Sequence, residues 1–339
     1  MLQEYLHKVV SGYSLTEAEA EAAMGIIMSG EATPAQIGAF LTALRLKRET
    51  VEEITGFART MRRLAEPLNI RHRVLVDTCG TGGDGRHTFN ISTAAAFVVA
   101  GAGIPVAKHG NRSVSSRAGS ADVLEALGVR VDLSPSAVAA CLEKVGIAFL
   151  FAPAFHKAMR HAAAPRREIG IRTVFNLLGP LTNPAGAPYQ LVGVYAPELT
   201  ETVATVLGRL GCRRAFVVHG SDGLDEVTIT GPTKVTRLEN NVVETFTFYP
   251  EEVGIKPARP KDLSGGTAAD NAGIIREVLE GRPGPARDVV VLNAAFALLA
   301  AGAVASVQEG MKMAEESIDS GAAYGKLAAL VSFSESGAA

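Results

Sequence analysis

The sequence is poor in the features that mark secreted, membrane and nucleic-acid-binding proteins. It has three scattered cysteines in 339 residues, Cys79, Cys141 and Cys212, so we expect free thiols and a reducing cytoplasm. The longest apolar run, residues 289–304, contains Asn293 and is shorter than the roughly 18–20 residues that span a bilayer. The first ten residues carry an early acid and no long apolar run, so we do not expect a signal peptide. The formal net charge of −2 disfavours a general role at nucleic acids or membrane surfaces.

Two kinds of catalytic site also lack support in the sequence. The seven histidines show no metal-ligand spacing with cysteine, so a zinc site is not expected. A nucleophile motif of the G-x-S-x-G type is missing, which leaves covalent catalysis without support.

The pattern of apolar residues changes character near residue 70. Before it, the sequence predicts helices, with Thr33 as N-cap before Pro34 and a capping box from Thr50 to Glu53. After it, short β-rich runs alternate with helical patterns, which indicates βαβ units and a parallel sheet covered by helices. We therefore predict an α/β protein with a small all-helical domain, residues 1–70, and a larger α/β domain with a mainly parallel central sheet, residues 71–339.

Three segments depart from this alternation. Residues 227–250 alternate in polarity and turn at Gly-Pro and Asn-Asn, which predicts antiparallel strands at one edge of the sheet. Residues 164–186 are rich in glycine and proline, and we interpret them as a crossover segment that returns to the helical unit. Residues 288–292 fit either a strand or a helix.

A glycine loop, residues 80–90, follows the first predicted strand in "VDTCGTGGDGRHTFNIST". It matches G-x-G-x-x-G, but no acidic residue lies between Gly85 and Asp122 to hold a ribose, which disfavours a dinucleotide site. The lysine of a P-loop is also missing. Closely spaced glycines and the helix start at Asn90, Ser92 and Thr93 suit a phosphate group, although a capped tight turn explains the loop equally well.

A basic loop, residues 108–120, follows the next strand with the sequence "KHGNRSVSSRAGS". Lys108, Arg112 and Arg117 among several serines are the groups that clamp phosphate, while the alternative is a solvated basic loop. Since both loops follow neighbouring strands of one sheet, we expect them to meet at one edge and form a polyphosphate site.

An acidic loop, residues 221–228 with the sequence "SDGLDEVT", gathers Asp222, Asp225 and Glu226. Such a loop is often just an exposed turn, but carboxylates beside a strongly anionic ligand suit Mg²⁺, which takes one or two carboxylates plus substrate oxygens. The hydroxyl of Ser92 could complete the metal's ligands. Asp84 would be tolerated beside phosphate if a metal ion or ribose hydroxyls lay between them.

Together these motifs resemble the anthranilate phosphoribosyltransferase family. The resemblance rests on "DTCGTGGDG…FNIST", "KHGNRSVSSRAGSADVLEALG", "RRE.GIRTVFNLLGPLTNP" and "GLDEVT", in order, and covers nearly the whole chain. It implies a small α domain with an α/β domain related to pyrimidine nucleoside phosphorylases. It also implies a cytoplasmic homodimer that transfers phosphoribose from phosphoribosyl pyrophosphate (PRPP) to anthranilate in tryptophan biosynthesis, with two Mg²⁺ ions and no nucleic acid or membrane partner.

The resemblance also implies the residues of the site. The substrate-binding residues would be Gly80, Gly83, Asp84, Thr88, Asn90, Ile91, Ser92, Thr93, Lys108, His109, Gly110, Asn111, Arg112, Ser113, Val114, Ser115, Ser116, Ser120 and Arg166. The Mg²⁺ ligands would be Ser92, Asp225 and Glu226. Lys108 would stabilise the departing pyrophosphate, and His109 is the nearest candidate base for the amine proton. Arg166 would bind the anthranilate carboxylate, with Arg167 the neighbour that could be confused with it.

Two other functions stay open at this point. A pyrimidine nucleoside phosphorylase on the same fold would use free phosphate without metal, which the acidic loop and the long glycine loop disfavour. A non-catalytic nucleic-acid-binding relative would need a strongly basic surface and altered motifs, which the charge and the intact motifs disfavour.

Overall fold

The computed structural model describes residues 1–70, 72–113 and 117–336. Four helices occupy the N-terminal region: α1 Leu2–Val10, α2 Glu17–Ser29, α3 Pro34–Lys47 and α4 Val51–Leu64. Thr16, Thr33 and Thr50 each begin a helix with a capping box, because the threonine hydroxyl accepts from the N3 backbone N–H and the N3 side chain accepts in return. The helix starts predicted at Thr33 and Thr50 are confirmed.

The strands of the described chain form one seven-stranded sheet with the order β3-β2-β1-β4-β5-β6-β7. Their bounds are β1 Val76–Gly80, β2 Val106–Gly110, β3 Ile147–Phe151, β4 Tyr189–Gly193, β5 Arg214–Gly220, β6 Thr233–Glu239 and β7 Val242–Phe248. The first five strands run parallel, and β6 and β7 are antiparallel. The mainly parallel sheet and its antiparallel edge are confirmed, although the edge strands begin at residue 233 rather than 227.

Helices cover both faces of the sheet. The remaining α-helices are α5 Ile91–Gly101, α6 Ser120–Ala126, α7 Pro135–Val145, α8 Ala152–Phe155, α9 Arg160–Ile169, α10 Phe175–Leu181, α11 Leu199–Arg209, α12 Ala268–Leu279, α13 Pro285–Ala301, α14 Val307–Asp319 and α15 Ala322–Ser336. Residues 288–292 therefore lie in a helix. Along β5, Phe216 and Val218 face one hydrophobic core and Val217 faces the other, as expected for a sheet that is buried on both sides.

The segment 164–186 contributes α9 and α10 to the helical side of the molecule. Helix α9 packs on α2 and α3, and α10 packs on α4 and α11. The half-buried Arg62 of α4 donates to Leu181 O at 2.7 Å and to Leu210 O at 3.0 Å, which ties the N-terminal helices to the rest of the chain. The crossover interpretation and the division at residues 70 and 71 both stay predictions.

The strand order reverses beside β1. The chain runs outward from β1 to β2 and β3, and then returns to the other side of β1 to form β4 and β5. In open parallel sheets the crevice at such a reversal, beyond the carboxyl ends of the strands, is where ligands bind. Among the described residues no helix is both long enough and apolar enough to cross a membrane.

Candidate active site

The glycine loop, the acidic loop and the end of strand β2 meet at the carboxyl ends of β1, β2 and β5. Gly82 N of the glycine loop donates to Asp225 Oδ2 at 2.7 Å, and Ser92 N at the start of α5 donates to Glu226 Oε1 at 3.1 Å. Lys108 Nζ lies 3.3 Å from Ser92 Oγ. The glycine loop, Lys108 and the acidic loop therefore surround one site, at the reversal of strand order.

Two glycines let the acidic loop lie directly on the strand ends. A Cβ at Gly193, the last residue of β4, would stand 1.5 Å from Asp225 O, and one at Gly80 would stand 2.2 Å from Asp225 Oδ2. Any larger residue at either position would displace the acidic loop. The sequence analysis missed Gly193, although a glycine that closes a strand is a recognised sign of close backbone approach.

The carboxylates of the site are crowded and poorly solvated. Burial, and then the neighbouring Asp84, raise the pKa of Asp225 to about 7. Burial and the neighbouring Asp225 raise the pKa of Glu226 well above its ordinary value. Lys108 lowers the pKa of Glu226, whereas Asp225 and Asp84 both raise it, so negative charge is in excess here. An added cation would lower the pKa of both carboxyl groups.

The donor set of this site fits Mg²⁺ better than a metal that needs an all-protein cage. Within the described residues, no three histidine, cysteine, aspartate or glutamate side chains gather closely enough to hold a metal ion by themselves. Mg²⁺ takes oxygen ligands, keeps several waters and commonly uses one or two carboxylates together with substrate phosphates. Asp225 and Glu226 supply such a pair, with the hydroxyl of Ser92 3.3 Å from the Lys108 ammonium.

Lys108, His109 and Gly110 belong to the end of strand β2 and not to the loop after it. Lys108 is 4% exposed and donates to Thr78 O at 2.6 Å, so its ammonium lies between strand β1 and the start of α5. Burial lowers the pKa of Lys108, and the nearby carboxylates of Asp77 and Glu226 oppose that shift. The predicted phosphate clamp thus has its lysine below the site, where it would act as fixed positive charge.

The environment of His109 differs from that of a general base. Its Nδ1 lies 3.1 Å from Gly179 O, and its ring centroid lies 5.3 Å from that of His156. Burial is the main cause that lowers the pKa of His109 to about 3. A neutral imidazole with this pKa binds protons weakly, so the structure disfavours the predicted base role.

Asp77 is a buried acid that the sequence analysis missed. It is the second residue of β1, is fully buried, and accepts from His109 N at 3.3 Å and from Asn183 Nδ2 at 2.8 Å. Burial raises its pKa to about 6, against the opposing effect of Lys108. Asp77 thereby joins β1, β2 and the crossover segment beneath the site. An aspartate inside an apolar strand was the available signal.

Several residues expected to bind phosphate use their polar groups within the protein. Ile91 N donates to Phe89 O at 2.8 Å and Thr93 N to Asn90 O at 3.1 Å, while Glu226 occupies Ser92 N. The backbone N–H groups of residues 91–93, which we expected to face phosphate, therefore donate hydrogen bonds within the protein. The side chains of Ile91 and Thr93 are both buried.

A segment that the sequence analysis did not single out, residues 262–271, packs against the glycine loop. Thr88 pairs with Ser264 in an isolated β-bridge, and Asn271 Nδ2 donates to Asn90 Oδ1 at 3.0 Å. A Cβ at Gly265 would stand 2.6 Å from Phe89 N. The segment therefore supports the residues that were expected to bind PRPP.

The basic loop is held by helix α6. Arg112 forms a two-bond pair with Glu125 at 2.6 and 2.7 Å and a bond to Asp122 at 3.0 Å, so its charge is already balanced. Ser113 N donates to Asp122 at 3.1 Å, and Ser120 Oγ donates to Asn111 O at 3.3 Å. The predicted contacts Val114, Ser115 and Ser116 lie outside the described residues.

The arginines of the crossover segment differ in their surroundings. Arg166 is half-buried, with its guanidinium 4.7 Å from the ring centroid of Phe175, whereas Arg167 is exposed. Arg172 donates to Gly83 O of the glycine loop and lies 4.7 Å from the ring centroid of Tyr195. Asp84, next to Gly83, accepts from Arg86 N at 3.1 Å. The contact of Arg172 with the glycine loop was not predicted.

Comparisons with known proteins agree with this architecture. Residues 72–324 match the model of the glycosyl transferase family, a/b domain, and residues 3–65 match its helical bundle domain. The anthranilate phosphoribosyltransferase of Moorella thermoacetica is 71% identical, covering 100% of both chains. The crystal structure of that enzyme from Thermus thermophilus is 46% identical, covers 97% of this chain and 99% of its own, and superposes with a TM-score of 0.93.

A further solved structure carries ligands. The anthranilate phosphoribosyltransferase of Saccharomyces cerevisiae in complex with PRPP and Mg is 31% identical, with a TM-score of 0.90 and coverage of 99% of this chain and 98% of that one. These identities over essentially the full length go well beyond a shared fold. The chain belongs to the anthranilate phosphoribosyltransferase family.

Proposed function

We propose that this protein transfers the phosphoribosyl group of PRPP to the amine of anthranilate, with release of pyrophosphate, as a step of tryptophan biosynthesis. The observation that carries the proposal is the convergence of the glycine loop, Lys108 and Glu226 on one crevice. The family relationship supports the same reaction, since the Moorella enzyme aligns over the full length of both chains.

The residues around the crevice are arranged to accept a strongly anionic leaving group. Asp225 and Glu226, with the Ser92 hydroxyl, would hold two Mg²⁺ ions. When bound, Mg²⁺ neutralises the charge that develops on pyrophosphate. Lys108 adds a buried positive charge that needs no reorganisation during the reaction. The glycine loop lets backbone N–H groups approach the phosphates without interference from side chains.

The acceptor side needs orientation more than proton abstraction. Half-buried Arg166, rather than exposed Arg167, would bind the anthranilate carboxylate and direct the amine towards ribose C1. An aromatic amine is neutral at physiological pH and can attack without prior deprotonation. Because His109 is neutral and donates its backbone N–H to Asp77, we assign it a positioning role in place of base catalysis.

Assembly and compartment follow from the same proposal. We infer a homodimer through the helical unit, where Val10, Tyr13 and Leu46 are 66%, 67% and 81% exposed. A contiguous patch of exposed apolar side chains is typical of surfaces that associate, and helices α1 and α3, which carry Val10 and Leu46, pack against each other. We also infer a cytoplasmic enzyme, in agreement with three buried free cysteines.

The test mixes the purified protein with anthranilate, PRPP and Mg²⁺ and follows loss of anthranilate fluorescence. We expect turnover that requires all three and that EDTA abolishes. The double variant Asp225→Ala, Glu226→Ala should lose at least about 100-fold in kcat/KM. The variant Asp222→Ala, in the same acidic loop but bonded to Thr228 and Thr230, shows how much of that loss comes from loop structure. Full activity of the double variant would refute the assigned metal site.

A further inference from the structure

Asn293 is a fully buried polar residue in the otherwise apolar face of helix α13. Its Oδ1 accepts from Val227 N at 3.0 Å, and its Nδ2 donates to Val227 O and Val289 O, both at 2.8 Å. A buried amide costs free energy unless its groups are bonded, and here all three bonds are made. Two of them reach the residue that directly follows Glu226.

The acidic loop lacks the regular strand bonds that would otherwise fix it. Residues 221–228 lie between β5 and β6 and belong to neither strand. Val227 is fully buried, so an unpaired N–H and C=O at this position would be costly. The side-chain amide of Asn293 satisfies both groups, as a neighbouring strand would.

The opposite side of the loop is held by the sheet. Gly193 and Gly80 bring the strand ends against Asp225, and Gly82 N bonds its carboxylate. The loop is thus fixed between the sheet on one side and α13 on the other. Glu226 lies between these two fixed points, with its carboxylate on Ser92 N.

We propose that Asn293 is a positioning residue that holds the Glu226 carboxylate in place for the divalent cation of the PRPP complex. The proposal rests on the proposed function, because it assumes that Glu226 binds that cation. Partners that orient a metal ligand typically change metal affinity by about 10–100-fold when they are removed. Asn293 would act through the backbone at Val227, without touching either substrate.

The experiment measures Mn²⁺ binding, in place of Mg²⁺, by the full-length protein with PRPP, using electron paramagnetic resonance titration. We expect Asn293→Ala to weaken Mn²⁺ binding at least about tenfold. The KM for PRPP should rise, and the KM for anthranilate should stay within about twofold, because the carboxylate site of Arg166 is untouched.

A matched control is Ser317→Ala. Ser317 is also a buried polar residue, in helix α14, which packs on α13, and its Oγ donates to Val98 O at 2.8 Å, away from the acidic loop. This variant should lose stability but keep Mn²⁺ affinity. If Asn293→Ala does not fold, Asn293→Leu keeps the packing volume and removes all three bonds of the amide, and the same loss of affinity is expected.

Two results would overturn the inference: unchanged Mn²⁺ affinity in the Asn293 variant, or an equal loss in Ser317→Ala. Failure of the proposed function looks different, because the wild-type protein would then show neither Mn²⁺ binding with PRPP nor loss of anthranilate fluorescence. Wild-type turnover with an unaffected Asn293 variant would remove this inference alone.

Discussion

At the scale of single residues, burial decides which groups around the crevice carry charge. Asp77 and Lys108 are oppositely charged and both buried, and each opposes the pKa shift that burial imposes on the other. His109 has no such opposite charge among the causes of its shift, since His156 and Lys108 both lower its pKa further. The neutral state of His109 is therefore enforced by its surroundings.

This depressed pKa gives a pH dependence with a definite sign. In the unfolded chain His109 has a pKa near 6.5, whereas in the folded protein its pKa is about 3. On acidification the unfolded chain therefore binds a proton before the folded protein. The contribution of His109 to the free energy of unfolding is fully present above about pH 6.5. It is lost as the pH falls towards 3, at up to about 1.4 kcal/mol per pH unit. Between about pH 7.5 and 5 the loss is about 2 kcal/mol.

Urea unfolding of the wild type and of His109→Gln at these two pH values measures how much unfolding free energy each protein loses on acidification. The variant should lose less stability on acidification, by about the same 2 kcal/mol. Carbon-13 NMR of the histidine rings gives an independent check. The ring signal that the wild type shows and His109→Gln lacks belongs to His109, and it should not titrate between about pH 8 and 5. A titration of that signal near pH 6.5 would contradict the prediction.

A second residue-scale prediction concerns Gly193. Gly193→Ala places a Cβ where Asp225 O now lies, so the acidic loop must move by an ångström or more. We expect kcat/KM to fall by about 100-fold, as for misplacement of catalytic groups by this distance. The control Gly273→Ala lies in α12 with nothing within 4 Å of its Cβ, and should keep activity and gain up to about 1 kcal/mol. Near-normal activity of Gly193→Ala would contradict the close approach.

The sequence could predict the residues that carry charge at the site but not those that hold them. Asp225, Glu226 and Lys108 stand in short motifs whose chemistry can be recognised locally. Asn293 bonds Val227 across 66 residues, and Arg172 bonds Gly83 across 89. Such partners are set by packing between distant parts of the chain, which local patterns do not encode.

At the scale of elements, the helix starts were predictable because their signals are local. A threonine cap, a proline at the first position and an acid or amide at the third lie within four residues. The short helices α9 and α10 were not predicted, because each contains a proline, Pro165 and Pro180. Packing of these helices against α3 and α4 compensates for that poor local propensity.

Two capping boxes of the same type allow a matched stability prediction. Glu53 is fully buried and accepts from Leu15 N at 2.9 Å, Thr50 N at 2.8 Å and Lys47 Nζ at 2.8 Å. Glu53→Ala leaves buried donors and an uncompensated lysine, so we expect a loss of about 3–5 kcal/mol in the free energy of unfolding.

The control for this prediction is Glu19→Ala. Glu19 occupies the same position in the capping box of α2, but its side chain is 33% exposed and water can replace it. We expect a loss of about 1 kcal/mol, measured by urea or thermal unfolding of both variants. Equal losses would show that the cap alone, and not the buried contacts, determines the cost.

At the scale of the whole molecule, ligand binding should be linked to stability. The crevice is built from β1, β2, β5 and the start of α5, so a bound ligand would join loops that are distant in sequence. Mg²⁺ with PRPP at 100 times the dissociation constant should add about 2.7 kcal/mol. The melting temperature should rise with both present, return to its starting value with EDTA, and not respond in the Asp225→Ala, Glu226→Ala variant. A rise with PRPP alone would contradict the metal requirement.

The hydrophobic core that Val217 faces, on the opposite side of the sheet from Phe216 and Val218, also holds helices α1–α4, which has a consequence for biosynthesis. That core also contains Phe175 and Leu181 from α10 and Val217 from β5. On a translating ribosome, the N-terminal helices therefore emerge with apolar faces whose partners do not yet exist. At about 5–20 residues per second, the wait for α10 lasts roughly 6–24 seconds. During that time the nascent chain exposes the surface that chaperones recognise.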